Sequence, residues 1–149
     1  RAADLGLDIG INYHNEDFSE VITAQCGGHG VDVILDVIGA PYWERNITSL
    51  AVRGRMVLVG TMGGNSLETN IGALMPKRLR IHGTVLRARP LEEKLILSQQ
   101  FASRYLHHFT SGRLQPVIDC IFPLEEVAEA HRYMESNANF GKIILNIED

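Results

Sequence analysis

The 149 residues are 45% apolar and 21% charged, and 14 basic against 18 acidic side chains leave a net charge of −4. That apolar content excludes intrinsic disorder, and 14 glycines with 5 prolines are too few for collagen-like or low-complexity sequence. The acidic balance sets nucleic-acid binding aside, and the longest apolar runs are strand-sized, well short of the ~18–20 residues that span a bilayer.

The chain opens RAADLGLDIG, which reads as the last turns of a helix and leads to the expectation of a piece of a longer polypeptide. Ile9 to Tyr13 is expected as a short strand, followed by a helix with Asn15 as N-cap and Glu16 and Asp17 in its first turn. Phe18, Val21, Ile22 and Cys26 recur at helical spacing, and Gly27-Gly28 ends the element. Next, VDVILDVIG is a nearly unbroken aliphatic run through Val31, Val33, Ile34, Leu35, Val37 and Ile38. It is the pattern of a central parallel strand covered by helices on both faces.

Tyr42 to Val52 reads as a helix with Trp43, Ile47 and Leu50 inward, closed by Arg53-Gly54-Arg55. Met56 to Val59 reads as another buried strand that runs into Gly60-Thr61-Met62-Gly63-Gly64. A looser stretch from Asn65 to Leu74 precedes a fourth strand, Leu79 to Leu86. Pro90 then opens a long helix whose apolar stripe is Leu91, Leu95, Ala102, Tyr105, Leu106 and Phe109, with His107 and His108 compensating the dipole and Gly112 as the stop. Beyond it lie a strand in LQPVIDCIFP, an amphipathic helix in LEEVAEAHRYMES with His131 toward the core, and a terminal strand in GKIILNI. Strands alternating with helices imply an α/β fold with a parallel sheet.

In open parallel sheets, ligands bind beyond the carboxyl ends of the strands, where this sequence has Gly39, Gly60, Gly63 and Gly64. Glycines there either only turn the chain or let backbone N–H groups approach a flat or phosphorylated ligand. No GxGxxG follows a strand; Gly27-Gly28-His29-Gly30 precedes one and reads as a helix-to-strand turn. Asp36, inside the central strand, is either an N–H acceptor at the crevice or a structural residue. PKRLRIHGTVLRAR holds Lys77, Arg78, Arg80, Arg87 and Arg89 and no acid. It is a charge-protected edge strand, a partner interface, or an attractor of anions. Cys26 and Cys120 lie far apart without a CxxC or Cys/His cluster, the usage of reduced thiols in a cytoplasmic protein. No side chain stands out as a catalytic acid, base, nucleophile or metal ligand.

INYHNEDF, GVDVILDVIG, Trp43-Glu44, RGRMVLVGTMGG, LRAR and EAHRYMESNANFGKIIL occur in this order. The ordered set resembles the zinc-independent medium-chain dehydrogenases/reductases, in particular their NADPH-dependent quinone oxidoreductase group, over essentially the whole chain. The resemblance implies the second half of a Rossmann-type parallel sheet with flanking helices, 1–112, lacking its first βαβ unit. It also implies a return segment, 113–149, that belongs to the catalytic domain. Tyr13 would lie by the adenosine 2′-phosphate, Ile38 and Gly39 would line the cofactor, and Val59, Gly60 and Thr61 would sit near the nicotinamide ribose. Thr84, Val85 and Leu86 would meet the carboxamide through backbone groups, and Asn139 would contact the cofactor, with Lys142 a weaker candidate.

The reaction implied is hydride transfer from NADPH to a quinone by the full-length enzyme, with these 149 residues inactive alone. A homodimer through the edge strand Leu79 to Leu86 is also implied. Two other readings remain: an enoyl-thioester reductase on the same fold, and a non-catalytic nucleotide-binding module.

Overall fold

A computed structural model describes residues 1–147. Glu148 and Asp149, which end the segment assigned from residue 113, lie outside the described residues. The chain divides into two compact units, Arg1–Arg89 and a second beginning at Pro90.

In the first unit, a 3-10 turn at Ala3–Leu5 stands where the tail of a helix was expected. Ile9 to Tyr13 forms no strand, because none of the described residues supplies a neighbouring ladder for it. Helix α1, Phe18–Gln25, starts two residues later than expected, and Asp17 replaces Asn15 as the cap. The Asp17 carboxylate accepts from the Ser19 hydroxyl at 2.6 Å and the Ser19 N–H at 2.8 Å. These bonds, with Arg45 nearby, hold its pKa below the usual value. The glycine turn after α1 is as expected, with positive φ at Gly27, Gly28 and Gly30.

Strands β1 (Val31–Asp36), β2 (Leu50–Leu58) and β3 (Arg80–Gly83) form one parallel sheet in that order. Helix α2 is shorter than the expected Tyr42–Val52 and covers Trp43–Ser49. Leu50 pairs with Val31 and Arg55 with Val33, so the chain between them bulges, turned by Arg53 at φ 66°. Sheet pairing therefore takes residues that helical spacing assigned to α2. The turn at Gly54 is also tight, since a Cβ there would lie 2.8 Å from the Ala51 carbonyl oxygen.

Ile47, Leu50 and Met56 form the buried core, flanked by Ile34, Trp43, Leu58, Leu74, Leu79 and Ile81. The expected inward positions of Ile47 and Leu50 hold. The expectation of helices on both faces of β1 is not met among the described residues, where β1 pairs on one side only, with β2, and Val33 is 52% and Leu35 70% exposed. An unbroken aliphatic run records the need for burial, whereas the position of the strand depends on which neighbours pair with it.

Within the stretch expected to be loose, a 3-10 turn at Ile71–Ala73 leads into α3, Leu74–Lys77. Lys77 Nζ donates to the carbonyls of Ile47 (3.1 Å), Thr48 (2.7 Å) and Leu50 (2.7 Å), satisfying the end of α2. One member of the basic segment is thus a helix-terminating residue. The strand expected over Leu79 to Leu86 is confined to Arg80–Gly83, because the chain bends after Gly83 and turns through Arg87-Ala88.

In the second unit, α4 spans Leu91–Thr110, close to expectation, and Gly112 has φ 74°. None of its residues is buried; Leu91, Leu95, Tyr105, Leu106 and Phe109 all remain exposed. Strands β4 (Ile118–Pro123) and β5 (Lys142–Asn146) pair in parallel, joined through α5 (Val127–Glu135). Ala130 is the buried residue of α5, whereas His131 is exposed, contrary to its expected inward position. It borders a small apolar groove with Val127, Met134, Ile143 and Leu145, one position off the buried line.

Lys77→Met is expected to lower the stability of the natural polypeptide by about 1.5–3 kcal/mol, from the loss of charge-assisted bonds at the end of α2. Urea denaturation followed by circular dichroism measures this, and an unchanged midpoint contradicts it.

Candidate functional site

Because β1, β2 and β3 run parallel, their carboxyl ends, Asp36, Leu58 and Gly83, lie on one edge of the sheet. The loop after β1 is built on Asp36, which is 5% exposed. Its Oδ1 accepts from Ile38 N–H at 2.7 Å, and both carboxyl oxygens receive the Gly39 N–H, at 3.3 and 3.2 Å. Asn46, itself buried on α2, donates its side-chain amide to Oδ2 at 3.2 Å. The alternatives for Asp36 thereby resolve: it is an N–H acceptor within its own loop and ties that loop to α2.

This loop organises the next one. Backbone N–H groups of Val59, Met62 and Gly63 donate to the carbonyls of Asp36, Val37 and Ile38, and Ala40 N–H donates to Gly64. Gly39 must be glycine here. Its φ is 85°, and a Cβ would stand 2.6 Å from the Gly64 carbonyl oxygen and 3.1 Å from Thr61 Cα. Trp43 and Glu44 then hold the far end of the second loop: Trp43 Nε1 donates to Thr69 Oγ1 at 2.7 Å, and that hydroxyl donates to Glu44 at 2.8 Å.

Beyond β2 and β3, Leu58, Val59, Gly60, Thr61, Gly83, Thr84 and Val85 line an open groove of about 460 Å³. Five of the residues expected around a cofactor, Val59, Gly60, Thr61, Thr84 and Val85, therefore share one groove. Ile38 and Gly39 belong to the neighbouring loop, with Gly39 packed against Thr61. Leu86 lies in the bend beyond the groove, and its carbonyl accepts the Arg89 N–H. Tyr13 is 61% exposed in a turn, its ring 4.3 Å from that of His14, and does not line the groove. Asn139 is in the second unit, where its side chain donates to the Gly141 carbonyl at 3.0 Å. Lys142 begins β5, its N–H bonded to Val117.

Sequence reasoning did not find Asn46 or the part Arg89 plays in the loop after β3. Arg89 Nη2 donates to Thr84 Oγ1 at 2.8 Å and Nε to the Val85 carbonyl at 3.3 Å. The only signal was its membership in the basic segment. Cys120 is half-buried beside Asp119, and burial first, then that carboxylate, raises its thiol pKa.

The groove is lined mainly by apolar atoms and offers backbone donors, which suits a flat ligand that carries hydrogen-bond acceptors. Val59 and Thr84 N–H groups are bonded to Asp36 and Leu58 carbonyls, whereas those of Gly60, Thr61 and Val85 have no protein partner among the described residues. A nicotinamide carboxamide fits that chemistry. Among the described residues, no group of three or more His, Cys, Asp or Glu is placed to hold a metal ion.

The sequence profile of the family described as "Zinc-binding dehydrogenase" matches residues 5–145, and the chain belongs to that family. It is 28% identical over 99% of its length to quinone oxidoreductase-like protein 2 of Bos taurus, covering 42% of that protein. A quinone oxidoreductase of Rattus norvegicus is 32% identical over 90% of the chain, which covers 39% of it. Among solved structures, an NAD-dependent alcohol dehydrogenase superimposes with a TM-score of 0.77 at 30% identity, covering 99% of this chain and 40% of that one. The α/β fold is thus that of the Rossmann-type medium-chain dehydrogenases/reductases, and the chain spans about two-fifths of these relatives' length.

Asp36→Ala leaves two loop N–H groups and the Asn46 amide without their acceptor, and is expected to cost on the order of 3 kcal/mol. Asp36→Asn keeps one carbonyl acceptor and should cost less. Denaturant midpoints order the three proteins; equal midpoints for Asp36→Ala and the unsubstituted protein contradict the assigned role.

Proposed function

We propose that the natural polypeptide is an NADPH-dependent quinone oxidoreductase, and that this chain contributes the nicotinamide end of the cofactor site. The observation that carries the reading is the groove beyond β2 and β3, where the Gly60, Thr61 and Val85 N–H groups have no protein partner among the described residues. The likeness to a quinone oxidoreductase and to a quinone oxidoreductase-like protein supports quinone as the acceptor. Bound NADPH supplies a hydride, and the protein's own contribution is orientation and exclusion of water.

In this reading, Val59, Gly60 and Thr61 face the nicotinamide ribose, Thr84, Val85 and Leu86 the carboxamide, and Ile38 and Gly39 the middle of the dinucleotide. Tyr13 donates to the 2′-phosphate and sets the preference for NADPH, while Asn139 contacts the cofactor from the segment assigned to the catalytic domain, 113–149. The polypeptide is cytoplasmic and forms a homodimer through the edge strand at Leu79 to Leu86. No helix among the described residues is long and apolar enough to cross a membrane.

The test is cofactor consumption by the full natural polypeptide, with an ortho-quinone or a crotonyl thioester as acceptor and NADPH or NADH as donor. Quinone turnover with NADPH preferred is expected. Turnover confined to the thioester moves the function to enoyl reduction, and no turnover with either favours a binding module.

Tyr13→Phe provides a separate test of the 2′-phosphate contact. It should lower kcat/KM for NADPH roughly tenfold, the scale of one hydrogen bond to a charged group, and leave NADH unaffected. An equal loss with both donors contradicts the assignment of Tyr13.

A further inference from the structure

We infer that Arg89 is a positioning residue that sets the hydrogen-bonding direction of the Thr84 hydroxyl, so that the groove presents this hydroxyl as a donor to the carboxamide oxygen of nicotinamide. The inference rests on the proposed cofactor site and names a determinant within it. Arg89 Nη2 lies 2.8 Å from Thr84 Oγ1. A guanidinium has donors only, so the hydroxyl oxygen must accept in that bond.

The Thr84 proton is then left to donate elsewhere, and no acceptor among the described residues takes it. The backbone of Thr84 is fixed as well: its N–H donates to the Leu58 carbonyl at 2.9 Å, across the β2–β3 ladder. Arg89 also closes the segment that follows, with Nε on the Val85 carbonyl at 3.3 Å and its own N–H on the Leu86 carbonyl at 3.2 Å. Both Thr84 and Arg89 are half-buried, so the bond between them is partly protected from competing water.

Without Arg89, a threonine hydroxyl at this position could rotate to present either a lone pair or its proton. With Arg89 bonded, one lone pair is taken and the O–H, polarised by the guanidinium, is the stronger donor, so the favoured ligand atom at the hydroxyl is an acceptor. A carboxamide has such an atom in its oxygen, and its amide nitrogen, a donor, is disfavoured there. The pair thus favours one of two orientations of the carboxamide.

The experiment compares binding of NADPH and of its thionicotinamide analogue, in which sulfur replaces the amide oxygen, to the full natural polypeptide. Sulfur is the weaker acceptor, so the ratio of the two dissociation constants reports the bond. The unsubstituted protein should prefer the oxygen form by roughly tenfold, Thr84→Val should abolish that preference, and Thr84→Ser should retain it. Arg89→Met should reduce the preference severalfold in the threonine background and leave it unchanged in the Thr84→Val background.

Arg89→Lys, which keeps a donor but loses the fork, should fall between. If Arg89→Met fails to fold, Thr84→Val, Thr84→Ser and Arg89→Lys still decide the question. A preference that survives Thr84→Val overturns the inference, as does an Arg89→Met effect of equal size in both backgrounds. A protein that binds both dinucleotides equally well sinks this inference alone. Failure to bind either one sinks the cofactor reading and the inference together.

Discussion

The Asp36 carboxyl group is the constraint on which the candidate site depends. A parallel strand ends by releasing its chain into a loop, and a buried loop must satisfy every backbone N–H it carries. Asp36 does this for Ile38 and Gly39 while Asn46 fixes its second oxygen from α2. With the first loop held, its carbonyls at Asp36, Val37 and Ile38 become acceptors for the second, at Val59, Met62 and Gly63. The groove beyond β2 and β3 is shaped by this sequence of bonds rather than by the glycines alone.

Two cations complete the frame in different ways. Lys77 gathers three carbonyls at the end of α2 and so fixes where helix gives way to strand. Arg89 folds back on Thr84 and Val85 and closes the segment that leaves β3. Both belong to a segment with no acid, and both bond to backbone carbonyl or hydroxyl oxygens of their own unit.

The elements with strong local signals were legible in the sequence. Pro90 and Gly112 bracket α4, the glycine pairs end α1, and the aliphatic run of VDVILD forms β1. Where pairing or distant groups decide, the sequence misled. Among the described residues, Ile9 to Tyr13 has strand composition but no ladder, β1 pairs on one side only, and Leu50 to Val52 leave helical spacing because Leu50 pairs with Val31. At the candidate site, the glycine-rich segments after β1 and β2 lie at the carboxyl edge of the sheet, where the sequence put them. Five expected cofactor residues share the groove. Tyr13 and Asn139 were named through resemblance, and no local pattern marks them. The role of Arg89 was hidden because only the bend after Gly83 brings it back onto Thr84.

Amide hydrogen exchange of the full natural polypeptide, measured with and without saturating NADPH, tests the central claim that the groove beyond β2 and β3 holds the nicotinamide end of a dinucleotide. The account predicts slowed exchange at Gly60, Thr61 and Val85, whose N–H groups have no protein partner among the described residues. Saturable binding that leaves exchange at all three unchanged would contradict it.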